Sequence, residues 1–172
     1  HPMFIEHGIE AVPFAHEKMD EWRNNFKGIR FINEEAGYNF GGAVDDIWQK
    51  PNGELIVVDV KSTSKNVFDW EDTYSKWEYA KGYQRQLEMY QWLLEKNGFE
   101  VASEGYLVYY NGKKHEPMFN QQLTFDLHLV RLECDNSWVE EAVLDAKNTL
   151  DGDMPKPASS CENCNYLKKR WE

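Results

Sequence analysis

The sequence predicts an α/β fold built on a central mixed β-sheet flanked by helices. Two β-rich runs, Gly41–Trp48 and Glu54–Lys61, flank a turn sequence. A long stretch of helical periodicity follows, at about 76–97. Two further strand-like runs and a second helical stretch then complete the order strand, strand, helix, strand, strand, helix. Interleaving of this kind is the mark of layered α/β architecture.

The first two strands form a hairpin. Between them lies Lys50-Pro51-Asn52-Gly53-Glu54. Proline presets the first central turn position, asparagine suits the next, and glycine takes the left-handed position that follows. That order fits a three-residue loop with a glycine bulge. Residue 50 then pairs with 54, and counting back sets Asp45 opposite Asp59; a slip of one residue would bring Asp46 forward instead. Strand residues alternate faces, so Asp59 and Lys61 share a face with Leu55 and Val57, while Ile56, Val58 and Val60 line the other. Both faces are largely apolar, as in a strand covered on both sides. Two carboxylates directly opposed repel unless one is protonated or a cation lies between them. Mg2+, which prefers hard oxygen ligands and keeps several waters, suits such a pair.

Downstream, Trp77, Ala80, Tyr83, Leu87, Tyr90 and Leu94 recur at helical spacing, and Asn97-Gly98 is a stop signal. Gln86 and Tyr90, four residues apart, lie one above the other on that helix. Taken as an isolated helix, Tyr90 reads as core and Gln86 as a boundary residue; beside a cation site, both can orient a phosphate or an attacking water. The intervening segment, Ser62 to Tyr74, reads as a mobile loop beside the hairpin. Its aromatics Phe68, Trp70 and Tyr74, with Trp77 and Tyr79, are expected mostly to pack the helix start, although such rings can also stack on bases. Glu100–Tyr110 and Leu123–Leu132 read as strands. Ser137-Trp138-Val139-Glu140 is a capping-box pattern opening a helix that ends at Asp151-Gly152. Pro155 and Pro157 then mark a linker. The chain is read as a domain over 1–154 and a tail over 155–172.

Gly42-x-x-Asp45, then Asp59-Val60-Lys61 at the end of an apolar strand, then Gln86-x-x-x-Tyr90, resembles the PD-(D/E)XK nuclease superfamily. It is most similar to the RecB-like branch, which includes CRISPR-associated exonucleases. The resemblance spans residues 41–90 and implies a restriction-endonuclease-like core. It implies Asp45 and Asp59 as metal ligands, the Val60 carbonyl as a further ligand, and Mg2+ or Mn2+ as the ion. Lys61 would position the attacking water or stabilise developing charge, and Gln86 and Tyr90 would support the site. The implied activity is metal-dependent hydrolysis of DNA, exonuclease-like, on single strands or ends. Such families also carry an earlier helix with an acidic or histidine residue facing the metal. Glu6 to Asn25 shows no clear long helix, so part of that helix is expected to be missing; His7, His16, Glu34 and Glu35 are the nearby candidates for its residue.

The composition tempers this reading. With 172 residues, 41% hydrophobic and 15% aromatic, the chain can bury one sizeable core. Its net charge of −11 opposes nonspecific attraction to nucleic acid. Local clusters at Lys76, Lys81 and Arg85, at Lys113-Lys114 and at Lys168-Lys169-Arg170 are either phosphate contacts or ordinary solvated charges. No apolar stretch is long enough to cross a bilayer and no signal-peptide pattern opens the sequence, which makes a cytoplasmic protein without a membrane partner the default. Cys161-x-x-Cys164 reads either as a half-site for zinc or an iron–sulfur (Fe-S) cluster or as two reduced thiols in an exposed tail; Cys134 is the remaining cysteine, so a Zn or Fe-S group needs ligands outside this chain. Two other functions compete: a catalytically impaired nucleic-acid-binding module that keeps the nuclease fold, and an acidic interaction domain whose motif match is accidental.

Overall fold

The structure, a computed structural model, describes residues 6–115 and 121–171. The chain divides into two compact units, His1–Val139 and Glu140–Glu172. The first holds seven strands among the described residues, β1 (Val12–Pro13), β2 (Ile29–Asn33), β3 (Tyr38–Gly42), β4 (Asp46–Gln49), β5 (Leu55–Thr63), β6 (Val101–Gly112) and β7 (Phe125–Glu133). The helices given in full among its described residues are α1 (Met19–Trp22), α2 (Trp70–Lys76) and α3 (Glu78–Lys96). The second unit consists of α4 (Val139–Asp151, whose first residue lies at the boundary) and α5 (Glu162–Trp171).

Five strands form the central sheet in the order β1-β4-β5-β6-β7. β5 and β6 run parallel and the other neighbours antiparallel, so the sheet is mixed as predicted. The parallel pair requires a crossover, which α2 and α3 supply. β5 is the buried centre of the sheet: Ile56, Val57 and Val58 are each at most 1% exposed. Burial of such a side chain contributes roughly 1.5–3 kcal/mol. One face packs Ile56, Val58, Tyr106 and Val108 with Trp48, Ile9 and Ala11. On the other, α3 lies close enough that Leu87 Cδ1 would sit 3.1 Å from a side-chain carbon at Gly105. β2 and β3 form a separate ribbon, and Phe31 and Phe40 set their rings against Trp92 of α3 at 5.4 and 5.8 Å.

The hairpin register agrees with the turn chemistry. Asp46 pairs with Val58 and Gln49 with Leu55. The Lys50 amide donates to the Glu54 carbonyl at 2.9 Å, and Gly53 has φ +96°. Several boundaries differ from expectation. The run Gly41–Trp48 is not one strand: Gly41 and Gly42 end β3, and β4 starts only at Asp46. The backbone turns between them because Val44 is drawn into the core, its amide bonded to the Trp22 carbonyl. Of the expected loop over 62–74, only residues 64–69 lie outside regular elements. β5 continues to Thr63, and α2 begins at Trp70, capped by the Asp69 carboxylate accepting from the Asp72 amide at 2.9 Å. The expected helix over 76–97 is broken at Trp77, which is extended (φ −123°, ψ 117°). Trp70 of α2 packs against Tyr109 of β6, which ties that helix to the sheet independently of α3. At the approach to α4, the Ser137 amide donates to Asp135 Oδ1, and the helix starts at Val139.

Candidate active site

β5 leaves the core at Asp59. That carboxylate is 2% exposed, while Val60, the next residue, is 43% exposed. The site therefore sits where the strand passes from interior to surface. Asp45 lies just before the first paired residue of β4, beside this point, and its carboxylate accepts from the Val60 amide at 2.8 Å. Within a strand the N–H and C=O of one residue face the same neighbour. The Val60 carbonyl thus faces the edge where Asp45 stands and where the β4 ladder has ended.

Asp46 has a different task. It pairs with Arg23 and accepts from its own neighbour Ile47 N at 2.9 Å and from Trp48 Nε1 at 3.2 Å. Arg23 Nε also donates to the Asp45 carbonyl at 3.1 Å, so one guanidinium holds both residues of the turn. Nothing in the local sequence flags Arg23, since it lies 22 residues from Asp45 and follows a four-residue helix.

Lys61 Nζ lies 2.5 Å from Asp59 Oδ2, accompanied by Gln86 Oε1 at 3.0 Å and the Tyr83 ring centroid at 4.4 Å. Gln86 Nε2 then donates to the Tyr90 hydroxyl at 2.9 Å. The chain Asp59–Lys61–Gln86–Tyr90 is therefore continuous, and the Gln86 amide is oriented by a donor on one side and an acceptor on the other. Because Tyr90 accepts from Gln86, its own proton remains available to a further acceptor. Gly42 makes room for the ring: a Cβ there would lie 2.7 Å from Tyr90 Cε1. The glycine of the Gly-x-x-Asp run is thus a steric requirement of Tyr90, a role that spacing within the motif does not reveal.

The electrostatics are unfavourable in isolation. Burial pushes the Asp59 carboxyl above its usual range; Lys61 opposes this, and the charge of Asp45 adds to it. Asp59 Oδ2 is buried and accepts no well-oriented hydrogen bond, its close contact being the Lys61 ion pair. Burial also pushes the Tyr90 phenol up, against the Gln86 hydrogen bond and together with the two carboxylates, so Tyr90 stays protonated. An under-coordinated buried carboxylate oxygen, a second carboxylate and a strand-edge carbonyl are hard oxygen donors. They fit a Mg2+ or Mn2+ ion that retains waters and takes the rest of its shell from a phosphate.

Among the described residues no third His, Cys, Asp or Glu completes a metal-binding group with them. His16 stacks on the Trp22 ring at 4.6 Å and accepts from the Lys18 amide, so it is a packing residue. Glu34 and Glu35 are exposed in the β2–β3 turn, and His7 faces Glu6 at 3.8 Å. The cysteines form no cluster in this set either. Burial pushes the Cys134 thiol up to about 12. In the second unit Cys161 Sγ accepts from the Cys164 amide at 3.4 Å, which lowers its pKa, and both thiols are free. The cavity of about 500 Å3 lined by Glu10, Val12, Gln49 and Pro51 lies at the turn end of the hairpin, away from these side chains. A cavity of about 360 Å3 lies beside Gln86 and Tyr90, walled by Gly41, Gly42, Arg85 and Met89.

A five-stranded mixed sheet whose central strand carries Asp59-Val60-Lys61 where it leaves the core, with helices against it, defines a restriction-endonuclease-like α/β protein. The chain matches the family model of the PD-(D/E)XK nuclease superfamily over residues 4–168 and belongs to that superfamily. The match spans most of the chain, so the motif order is not accidental. No curated protein matches it. Among solved structures, the crystal structure of SSO0001 is similar at 19% identity and a TM-score of 0.38, covering 81% of this chain and 54% of that one. This chain thus spans about half the length of that protein. Among the described residues, no helix is long and apolar enough to cross a membrane.

Proposed function

We propose that this chain is a metal-dependent deoxyribonuclease of the RecB-like branch, acting on single strands or ends with Mg2+ or Mn2+. The observation that supports it best is the convergence of Asp45, Asp59, Lys61, Gln86 and Tyr90 from three separate segments. Asp45, Asp59 and the Val60 carbonyl would hold the ion, which supplies charge neutralisation at the phosphate and a more acidic bound water. Lys61 holds its ammonium beside Asp59, where it can orient the attacking water or meet negative charge developing on the phosphoryl oxygens. Gln86 fixes the Lys61 ammonium and the Tyr90 hydroxyl in one geometry. Tyr90, kept protonated, can donate to a phosphate oxygen. DNA as the substrate, and ends as the point of attack, rest on the order Gly42-x-x-Asp45, Asp59-Val60-Lys61, Gln86-x-x-x-Tyr90 and its likeness to the RecB-like branch.

A second reading is favoured by one observation. Among the described residues only two carboxylates meet at the site, and a phosphate-binding module that lacks cleavage could keep that much. Incubation with single- and double-stranded DNA and RNA, with Mg2+ or Mn2+ and with EDTA, separates the two. The nuclease reading expects cleavage that EDTA and the variants Asp59→Asn and Lys61→Ala abolish. Nucleic-acid binding without cleavage under every metal condition would establish the second reading instead.

A further inference from the structure

Resting on the nuclease reading of the site, we propose that the rings of Tyr83, Tyr79 and Trp77 form a stacking track that selects unpaired bases of a single strand and leads them to Lys61. Tyr79, Tyr83, Gln86 and Tyr90 follow one another at intervals of four, three and four residues, the spacing that keeps side chains on one helix face. The stripe that delivers Gln86 and Tyr90 to the site therefore continues outward as aromatic rings. The contacts are unbroken: Lys61 Nζ to the Tyr83 ring is 4.4 Å, Tyr83 to Tyr79 is 5.6 Å, and Tyr79 to Trp77 is 6.1 Å.

Trp77 and Tyr79 are more open than the rings that pack the helix start, while Tyr83 is half-buried over Lys61. Phe68 and Trp70 do pack, against Tyr109 and, for Phe68, His128, while the Tyr74 hydroxyl is bonded to Gln84. Trp77 is 55% exposed and Tyr79 45% exposed. The break at Trp77 sets that ring at the outer end of the row instead of carrying it into a continuous helix.

The local charges favour bases over phosphates as the recognised groups. Lys76 is paired with Asp72, and Lys81 and Arg85 are paired with Glu78. With a net charge of −11, the chain offers little bulk attraction to a polyanion. Stacking needs no net charge, tolerates any base, and is denied to a duplex because its base faces are already covered. From Tyr79 to Gln86 the helix rises about 10 Å, the length of roughly three stacked nucleotides.

The test is fluorescence anisotropy with an end-labelled oligothymidylate in EDTA, where binding is read without cleavage. Trp77→Ala and Tyr79→Ala are each expected to weaken binding by about 5- to 150-fold. Trp77→Phe and Tyr79→Phe, which keep a ring, are expected to stay close to wild type, and a blunt duplex is expected to bind weakly to every form. Thermal melts of the variants check that the fold is retained. The proposal is overturned if the alanine variants bind oligothymidylate as tightly as wild type, if the duplex binds equally well, or if wild type does not bind the oligonucleotide. The cleavage reading is scored separately, by metal-dependent wild-type hydrolysis of bis(p-nitrophenyl) phosphate, a phosphodiester too short to span the track. Absence of metal-dependent hydrolysis of both this diester and DNA by the wild type, alongside ring-dependent binding, refutes the nuclease and leaves the track standing.

Discussion

Asp59→Asn should make the protein more stable at neutral pH while removing its response to metal. Asp59 is 2% exposed, and its Oδ2 is buried with an ion pair but no aligned donor. Burial raises its folded-state pKa in spite of Lys61, and Asp45 adds to the rise. For an acid, a raised folded pKa means that ionisation favours the unfolded chain. The penalty is absent below the unfolded pKa of about 3.9. It grows as pH rises towards the folded pKa and is complete above it. Asparagine has nearly the same shape and no charge, and it can still accept a hydrogen bond from Lys61. The gain at pH 7 is expected to be about 0.5–2 kcal/mol, the size common for a single stabilising substitution. For a chain of this length that is a rise of roughly 1–8 °C in Tm. The gain should shrink towards zero as pH falls to the unfolded pKa. If the wild-type site binds Mg2+ at about 1 mM, about 10 mM Mg2+ adds RT ln 11, or about 1.4 kcal/mol, and the variant should gain none of it. Thermal melts over a pH series, with and without Mg2+, measure both effects. A variant less stable than wild type at pH 7 would show that the Lys61–Asp59 pair is net stabilising. A variant that keeps the full Mg2+ shift would refute Asp59 as a ligand.

Three other substitutions probe the same construction. Lys61→Ala leaves Asp59 buried beside Asp45 without its counter-charge, so it should cost about 3 kcal/mol at neutral pH in urea unfolding and less at acid pH, where Asp59 takes up a proton. Gly42→Ala places a methyl 2.7 Å from Tyr90 Cε1, which should displace the ring, lower stability by about 1–3 kcal/mol and reduce cleavage by roughly 10- to 100-fold; unchanged kinetics would mean that Tyr90 is not needed where it stands. Glu88→Ala should destabilise by about 2–4 kcal/mol with no specific effect on metal response, because this buried carboxylate accepts from Trp138 Nε1 at 2.7 Å, Asp135 N at 3.2 Å and Gln84 Nε2 at 3.1 Å; its loss strips the first two of this acceptor, while Gln84 Nε2 keeps the Glu133 carbonyl at 3.0 Å.

Much of this molecule follows from short-range chemistry that its residues carry with them. The Pro51-Asn52-Gly53 turn admits few backbone conformations, and a turn type sets a hairpin register. Asp45 rather than Asp46 therefore falls beside Asp59, and the period of two on β5 aligns Lys61 with it. The period of 3.6 on α3 likewise stacks Gln86 on Tyr90, as their hydrogen bond records. What tertiary structure decided are the contacts between residues distant in sequence, which no local pattern encodes. The run Gly41–Trp48 divides because Val44 enters the core beneath Trp22, and Gly42 is bare because Tyr90, 48 positions later on another element, needs the space. Arg23 takes Asp46 out of the site, and Trp22 takes His16. The break at Trp77 separates α2, whose Trp70 packs on Tyr109 of β6, from α3, and Trp77 and Tyr79 beside it are exposed. A periodic pattern specifies which side chains share a face; only packing determines what that face meets, because burial and charge pairing are settled by every segment at once.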